Sequence, residues 1–323
     1  MKSSIHILKK IMDCPKRKTI FNRINPTLFD VSLRDGIQNT KLENFPTSRK
    51  MELFHSILTD LQPKKLEIGS LTSPKILPIM EDSLVLHNYA ANYLNIQKKK
   101  TIIENPDIYL LIPSEKKMLP AIEHGITNFS FITSVSDQFQ IRNTNKTIQE
   151  TKYDFDVLFN KWFKAPCQFN KKLYISCINK CPILGKIDND FVLKEVLYYH
   201  QKYDFDEVCL SDTTGYLDYN DFEYIVDSML YFGVPPSKLS FHLHCPEKNR
   251  ENIEKILYYC FSNKLNKFDV SMLESGGCSV TMDSTTLKPN LSYDLFYSVL
   301  DKYINRCITF EDLYTTENKT KRQ

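Results

Sequence analysis

The chain has 323 residues, 42% of them hydrophobic and 25% charged, a globular composition able to bury a large core. No run approaches the roughly 18 apolar residues that a membrane-spanning helix requires, and 42 basic against 39 acidic side chains leave a net charge of +3, a weak field for phosphate backbones or anionic lipid. A soluble protein without a nucleic-acid or membrane partner is expected. The nine cysteines are odd in number and irregularly spaced, which speaks against a disulfide-stapled secreted domain and for a reducing intracellular compartment, the cytoplasm ahead of the mitochondrion.

In chain order, residues 1–24 come first, with seven Lys or Arg and one acid, Asp13. They read as a basic arm or a targeting segment. Short β-rich runs then recur: "LFDVSL" (28–33), "KLEIGSL" (65–71), "IYLLIPS" (108–114), "NFSFITS" (128–134), "LYISCI" (173–178), "EVCLSDT" (207–213), "LSFHLHC" (239–245) and "FDVSMLE" (268–274). Helical patterns fill the gaps. "TSRKMELFHSILTDL" puts Phe54, Ile57, Leu58 and Leu61 on one stripe behind a Thr47 cap candidate, and "NDFVLKEVLYYHQKY" and "NDFEYIVDSMLYFG" repeat the pattern. Eight βα units without an intervening linker predict one (β/α)₈ TIM barrel over residues 25–310, with residues 311–323 as a polar tail. An open doubly wound sheet would need a Gly-rich nucleotide fingerprint, and none occurs.

A barrel collects its chemistry at the C-terminal ends of its strands. There the first strand ends in Arg34-Asp35-Gly36, the second carries Glu67, the sixth ends in Asp212-Thr213-Thr214-Gly215, and the seventh carries His242 and His244. The eighth runs into "ESGGCSVTM" (274–282), and with only 8 glycines in the chain the pair Gly276–Gly277 stands out. Strand alternation sends both histidines to one face and Cys245 to the other. Asp35, His242 and His244 offer one carboxylate and two imidazoles, a donor set suited to Mg²⁺, Mn²⁺ or a related catalytic ion. Arg34 can hold a developing oxyanion, and Cys278 is placed as a loop thiol that moves protons. Cys177 and Cys181 read as packing residues.

The stretches "FDVSLRDGIQN", "LEIGSLTSPK", "SCINKCPILGKI", "SDTTG", "HLH", "SGGC" and "NLSYDL" resemble, in this order, the motifs of hydroxymethylglutaryl-CoA lyase over about residues 27–305. The first and fourth also occur in homocitrate and isopropylmalate synthases. The resemblance implies a pyruvate-carboxyltransferase-like barrel and the retro-Claisen cleavage of 3-hydroxy-3-methylglutaryl-CoA to acetoacetate and acetyl-CoA, by a homodimer acting on an acyl-CoA. It implies Asp35, His242 and His244 as ligands of a divalent ion, Arg34 on the enolate oxygen, Cys278 in proton transfer, and Glu67 and Asp212 as bases or partners of substrate and ligands. A fourth ligand falls on Asn290, with Asp283 as a substitute in a loop longer than the family's. "CPEKNRE" after His244 and "SVTMDSTTLKP" after Cys278 depart from the family pattern and touch substrate-binding loops. Two alternatives stand beside the lyase: a Claisen-type acyltransferase, and a barrel kept as a binding module.

Overall fold

The computed structural model describes residues 2–98, 105–163, 169–277, 281–282 and 286–320. Eight parallel strands close into a ring: β1 Thr27–Asp30, β2 Lys65–Ser70, β3 Asp107–Leu111, β4 Asn128–Ser134, β5 Asn170–Ser176, β6 Glu207–Ser211, β7 Leu239–His242 and β8 Lys267–Val270. β8 returns to β1, from Thr27 beside Lys267 to Asp30 beside Val270. Helices such as Ser83–Lys98, Asn189–Lys202, Tyr219–Tyr231 and Arg250–Ser262 occupy the crossovers. The architecture is the expected (β/α)₈ barrel, with all eight expected strands present.

The period of two along each strand explains the two surfaces of the ring. Outward positions such as Leu66, Ile68, Leu110, Phe129, Leu173, Leu210, Phe241 and Phe268 are apolar and join the core under the helices. Phe29 and Tyr109, by contrast, pack together apart from that core, as do Leu111, Tyr174 and Cys209. Glu67, Lys172, Glu207, His242 and Asp269 alternate with the outward residues and are all buried. The inside of this barrel is therefore aromatic and ionic, where bulky aliphatic layers are usual.

One expectation is revised. Thr47 does not cap its helix, which begins at Thr47 behind Pro46; its hydroxyl donates to Asp82 Oδ2 at 2.6 Å. The basic arm folds into two helices, Lys2–Asp13 and Pro15–Ile24. They bury Ile11 and Ile20, and Arg17 pairs with Asp301 and Asn305 of the last helix. That helix, Tyr293–Thr320, runs through most of the expected polar tail.

Asp30 faces out of the ring and ties its two ends together. It accepts the Ser32 amide and the Tyr293 hydroxyl, each at 2.8 Å. Burial raises its carboxyl to about 6 against these hydrogen bonds. The folded state thus holds a proton that the unfolded chain releases near pH 4, so this stabilisation is complete below pH 4 and lost as pH rises through 6. The shift corresponds to about 3 kcal/mol. Asp30→Asn should therefore gain on the wild type by about that amount between pH 4 and pH 7 in thermal or urea unfolding; a constant difference across that range would refute the assignment.

Candidate metal centre

After β1 the chain makes one π-helical turn, Ser32–Gly36, that turns Arg34 and Asp35 into the mouth of the barrel. Such turns interrupt regular backbone to aim side chains. Arg34 Nε donates to Glu67 Oε2 at 2.5 Å and its Nη1 to Asp35 Oδ1 at 2.7 Å. Its guanidinium also lies 5.0 Å from the centre of the Tyr174 ring, whose hydroxyl donates to the same Glu67 oxygen at 3.1 Å. Burial works against the charge on Arg34, but Glu67 and Asp35 outweigh it and hold the group fully protonated.

Asp35 is the hub. Gln38 Nε2 donates to its Oδ1 at 2.8 Å, while Gly277 N and Asn290 Nδ2 donate to its Oδ2 at 3.0 and 2.9 Å. Burial alone would raise its carboxyl; Arg34 and the two histidines hold it well below the usual carboxylate range. His242 Nε2 and His244 Nε2 stand 3.9 and 3.7 Å from Oδ2. One donor atom from each of Asp35, His242 and His244 lies within 4.8 Å of the others. Donors bound about 2.1 Å from a common ion lie about 3–4 Å apart, so the set needs only a small contraction to close on one.

The imidazoles are oriented from behind. His244 Nδ1 bonds the main-chain carbonyl of Asp212 at 2.6 Å, which leaves Nε2 as the free nitrogen. Among the described residues that atom is buried without a hydrogen-bond partner. Burial would lower His244, and the Asp35 carboxylate more than reverses this. Asn290 is set beside His244 by an antiparallel bridge, with Cys245 N on Pro289 O at 2.7 Å and Leu291 N on Leu243 O at 2.9 Å. Its Oδ1 is likewise buried and has no partner among the described residues. Two orphaned acceptors beside a carboxylate fit a divalent cation, because a buried polar atom left unsatisfied is costly.

The other expected residues are placed as follows. Glu67 is fully buried behind the cavity wall as the partner of Arg34 and Tyr174, both of which line it. The Asp212 side chain accepts the amides of Gly215 and Leu217 at 3.0 and 3.1 Å, and burial raises its carboxyl; its carbonyl meets His244 Nδ1. Cys278 and Asp283 lie outside the described residues. The segment leading to Cys278 is nevertheless anchored, by Asn39 Nδ2 on Gly276 O at 2.8 Å and Gln38 Nε2 on Gly277 O at 2.5 Å. Gln38 was not singled out in the sequence, although it sits in the motif that supplies Asp35.

Gly276 has φ +158°, and a Cβ there would stand 2.4 Å from Asn290 Nδ2. Gly276→Ala should push that amide off Asp35 and weaken divalent-cation binding by about tenfold or more, near 1.4 kcal/mol. A calorimetric Mn²⁺ titration unchanged from wild type would exclude Asn290 from the site.

A cavity of about 570 Å³ opens above these groups. His242, His244, Arg34 and Asp35 line its inner end, Leu111, Ile132 and Phe139 its apolar wall, and Lys116, Lys117 and Lys146 also border it. The closed parallel barrel thus carries one carboxylate and two imidazoles together at the carboxyl ends of its strands. No protein-family profile matches the chain. Among curated proteins it is 26% identical over 224 residues to the mitochondrial hydroxymethylglutaryl-CoA lyase of Arabidopsis thaliana, across 67% of this chain and 43% of the relative. It is 28% identical to that of Macaca fascicularis, across 67% of this chain and 62% of the relative. These alignments thus span about two fifths to three fifths of those relatives' length. The 3-hydroxy-3-isohexenylglutaryl-CoA/hydroxymethylglutaryl-CoA lyase of Pseudomonas aeruginosa is 26% identical across 80% of both chains. Of solved structures, a hydroxymethylglutaryl-CoA lyase from Pseudomonas aeruginosa superimposes with TM-score 0.71 at 24% identity, over 86% of each chain. One from Acinetobacter baumannii, in complex with coenzyme A and 3-methylmalate, gives 0.70 at 21%, over 87% and 90%. In sequence and in fold the chain is thus similar to hydroxymethylglutaryl-CoA lyases.

Proposed function

We propose that the protein is a divalent-metal-dependent lyase that cleaves 3-hydroxy-3-methylglutaryl-CoA to acetoacetate and acetyl-CoA. The observation that carries this reading is the convergence of Asp35, His242, His244 and Asn290 around two orphaned acceptor atoms at the inner end of the cavity. Bound there, Mg²⁺ or Mn²⁺ supplies Lewis acidity toward the 3-hydroxyl and a neighbouring substrate oxygen. The cleavage moves one proton from that hydroxyl to the carbon that becomes the acetyl methyl, while the broken C–C bond leaves its electrons as the thioester enolate. Arg34, held by Glu67 and Asp35, presents fixed positive charge toward the developing enolate oxygen. Tyr174 and Glu67 keep the guanidinium from turning away. Cys278, by its family resemblance, is the thiol that delivers or removes the proton.

The relatives' names and the coenzyme A in one structural neighbour support an acyl-CoA substrate. The lysines bordering the cavity suit its phosphates, and the apolar wall suits the branch at C3. The seven described cysteines all carry free thiols, which supports a reducing compartment. The test is a coupled acetoacetate assay with Mg²⁺ or Mn²⁺. Turnover should exceed that of a chelated control; none above it rejects the lyase, and incorporation of acetyl-CoA into a 2-oxo acid would establish the synthase instead.

A further inference from the structure

Beneath the site, the axis of the barrel holds a column of charge that the chemistry above does not use. Lys172 on β5 is buried between Asp269 on β8 and Glu207 on β6, the latter at 3.0 Å, with its ammonium 3.8 Å from the centre of the Phe29 ring. Glu207 is met in turn by Lys65 at 2.9 Å and Lys267 at 3.6 Å. Asp269 gives Oδ1 to Lys172 and turns Oδ2 to His242 Nδ1 at 3.2 Å. Ions buried in this way seldom add stability over an apolar filling, so the column invites a role other than holding the barrel closed. Its upper end is an imidazole of the candidate metal centre.

We propose that Asp269 and Lys172 are positioning residues for His242: Asp269 accepts the Nδ1–H and fixes the tautomer that aims Nε2 at Asp35, while Lys172 holds the carboxylate's other oxygen and so its rotamer. The inference rests on reading Asp35, His242 and His244 as a cation site. The two histidines are oriented by different devices. His244 leans on a backbone carbonyl that no substitution removes, whereas His242 leans on a side chain, which makes its support separable. A ring nitrogen held by a carboxylate is a common outer support of metal-bound imidazole, and losing it typically costs 10–100-fold in metal affinity.

The test is a Mn²⁺ titration of the full-length protein, followed by the electron paramagnetic resonance of free Mn²⁺. Asp269→Ala leaves Lys172 paired with Glu207, so the fold has reason to survive, and affinity should fall about 10–100-fold. Asp269→Asn, which keeps an oxygen able to accept the Nδ1–H, should recover most of that loss, a rescue that a merely structural role would not produce. Equal affinity in wild type and Asp269→Ala overturns the positioning role. Absence of Mn²⁺ binding by the wild type overturns instead the site reading beneath it. Should Asp269→Ala not fold, the ¹⁵N-histidine spectrum of the metal-free wild type decides: His242 protonated on Nδ1 supports the proposal, and protonation on Nε2 overturns it.

Discussion

Arg34→Gln is expected to lower the rate of the proposed hydroxymethylglutaryl-CoA cleavage by at least about 10²-fold, the usual effect of losing a charge-stabilising group. It should also cost about 3–5 kcal/mol of stability, because it strips the cation from two buried carboxylates. Glu67 would retain only the Tyr174 hydroxyl, and Asp35 would retain neutral donors from Gln38, Gly277 and Asn290. Arg34→Lys should restore little of either loss. A single ammonium cannot reproduce the fork that reaches Glu67 through Nε and Asp35 through Nη1. The two effects separate on measurement: unfolding by denaturant gives the stability term, and the rate is read at a temperature where the variant stays folded. A folded Arg34→Gln enzyme within tenfold of wild-type turnover would remove Arg34 from the chemistry.

How much of this was legible in the sequence depends on which atoms carry each role. The eight strands were readable because alternation of apolar and polar residues is a local signal. The same alternation correctly put His242 and His244 on one face and Cys245 on the other. Asp35 and Arg34 were readable because they follow a strand directly. The contact of the Asp212 carbonyl with His244 was not readable, since backbone atoms are the same in every residue. Asp269 and Lys172 escaped notice for another reason. Each lies within a run that reads as an ordinary strand, and only closure of the ring brings β5, β6 and β8 around one axis. Thr47 failed as a cap because Asp82, 35 residues away, offers its hydroxyl a partner. Long-range pairings of this kind leave no periodic trace.

The hub itself supplies the second large effect. Asp35→Asn changes no volume, yet it should destabilise the protein twice over, and a chelator separates the two parts. In EDTA only the internal bonds count. Each carboxylate oxygen of Asp35 receives two donors, Arg34 Nη1 and Gln38 Nε2 on Oδ1, Gly277 N and Asn290 Nδ2 on Oδ2. An amide must turn its own NH₂ toward one of these pairs, so two bonds to a charged acceptor are lost, at about 1.5–3 kcal/mol each. With Mn²⁺ at about 100 times its Kd, the wild type gains a further ~2.7 kcal/mol from binding. The variant, lacking the carboxylate that His242 Nε2 and His244 Nε2 face, should gain almost none. Thermal unfolding of both proteins with EDTA and with Mn²⁺ should therefore show a gap that widens when the ion is added. A gap of the same size in both conditions would mean that Asp35 serves only to fasten the turn after β1 to the segment after β8, and that the cation, if one binds, sits elsewhere.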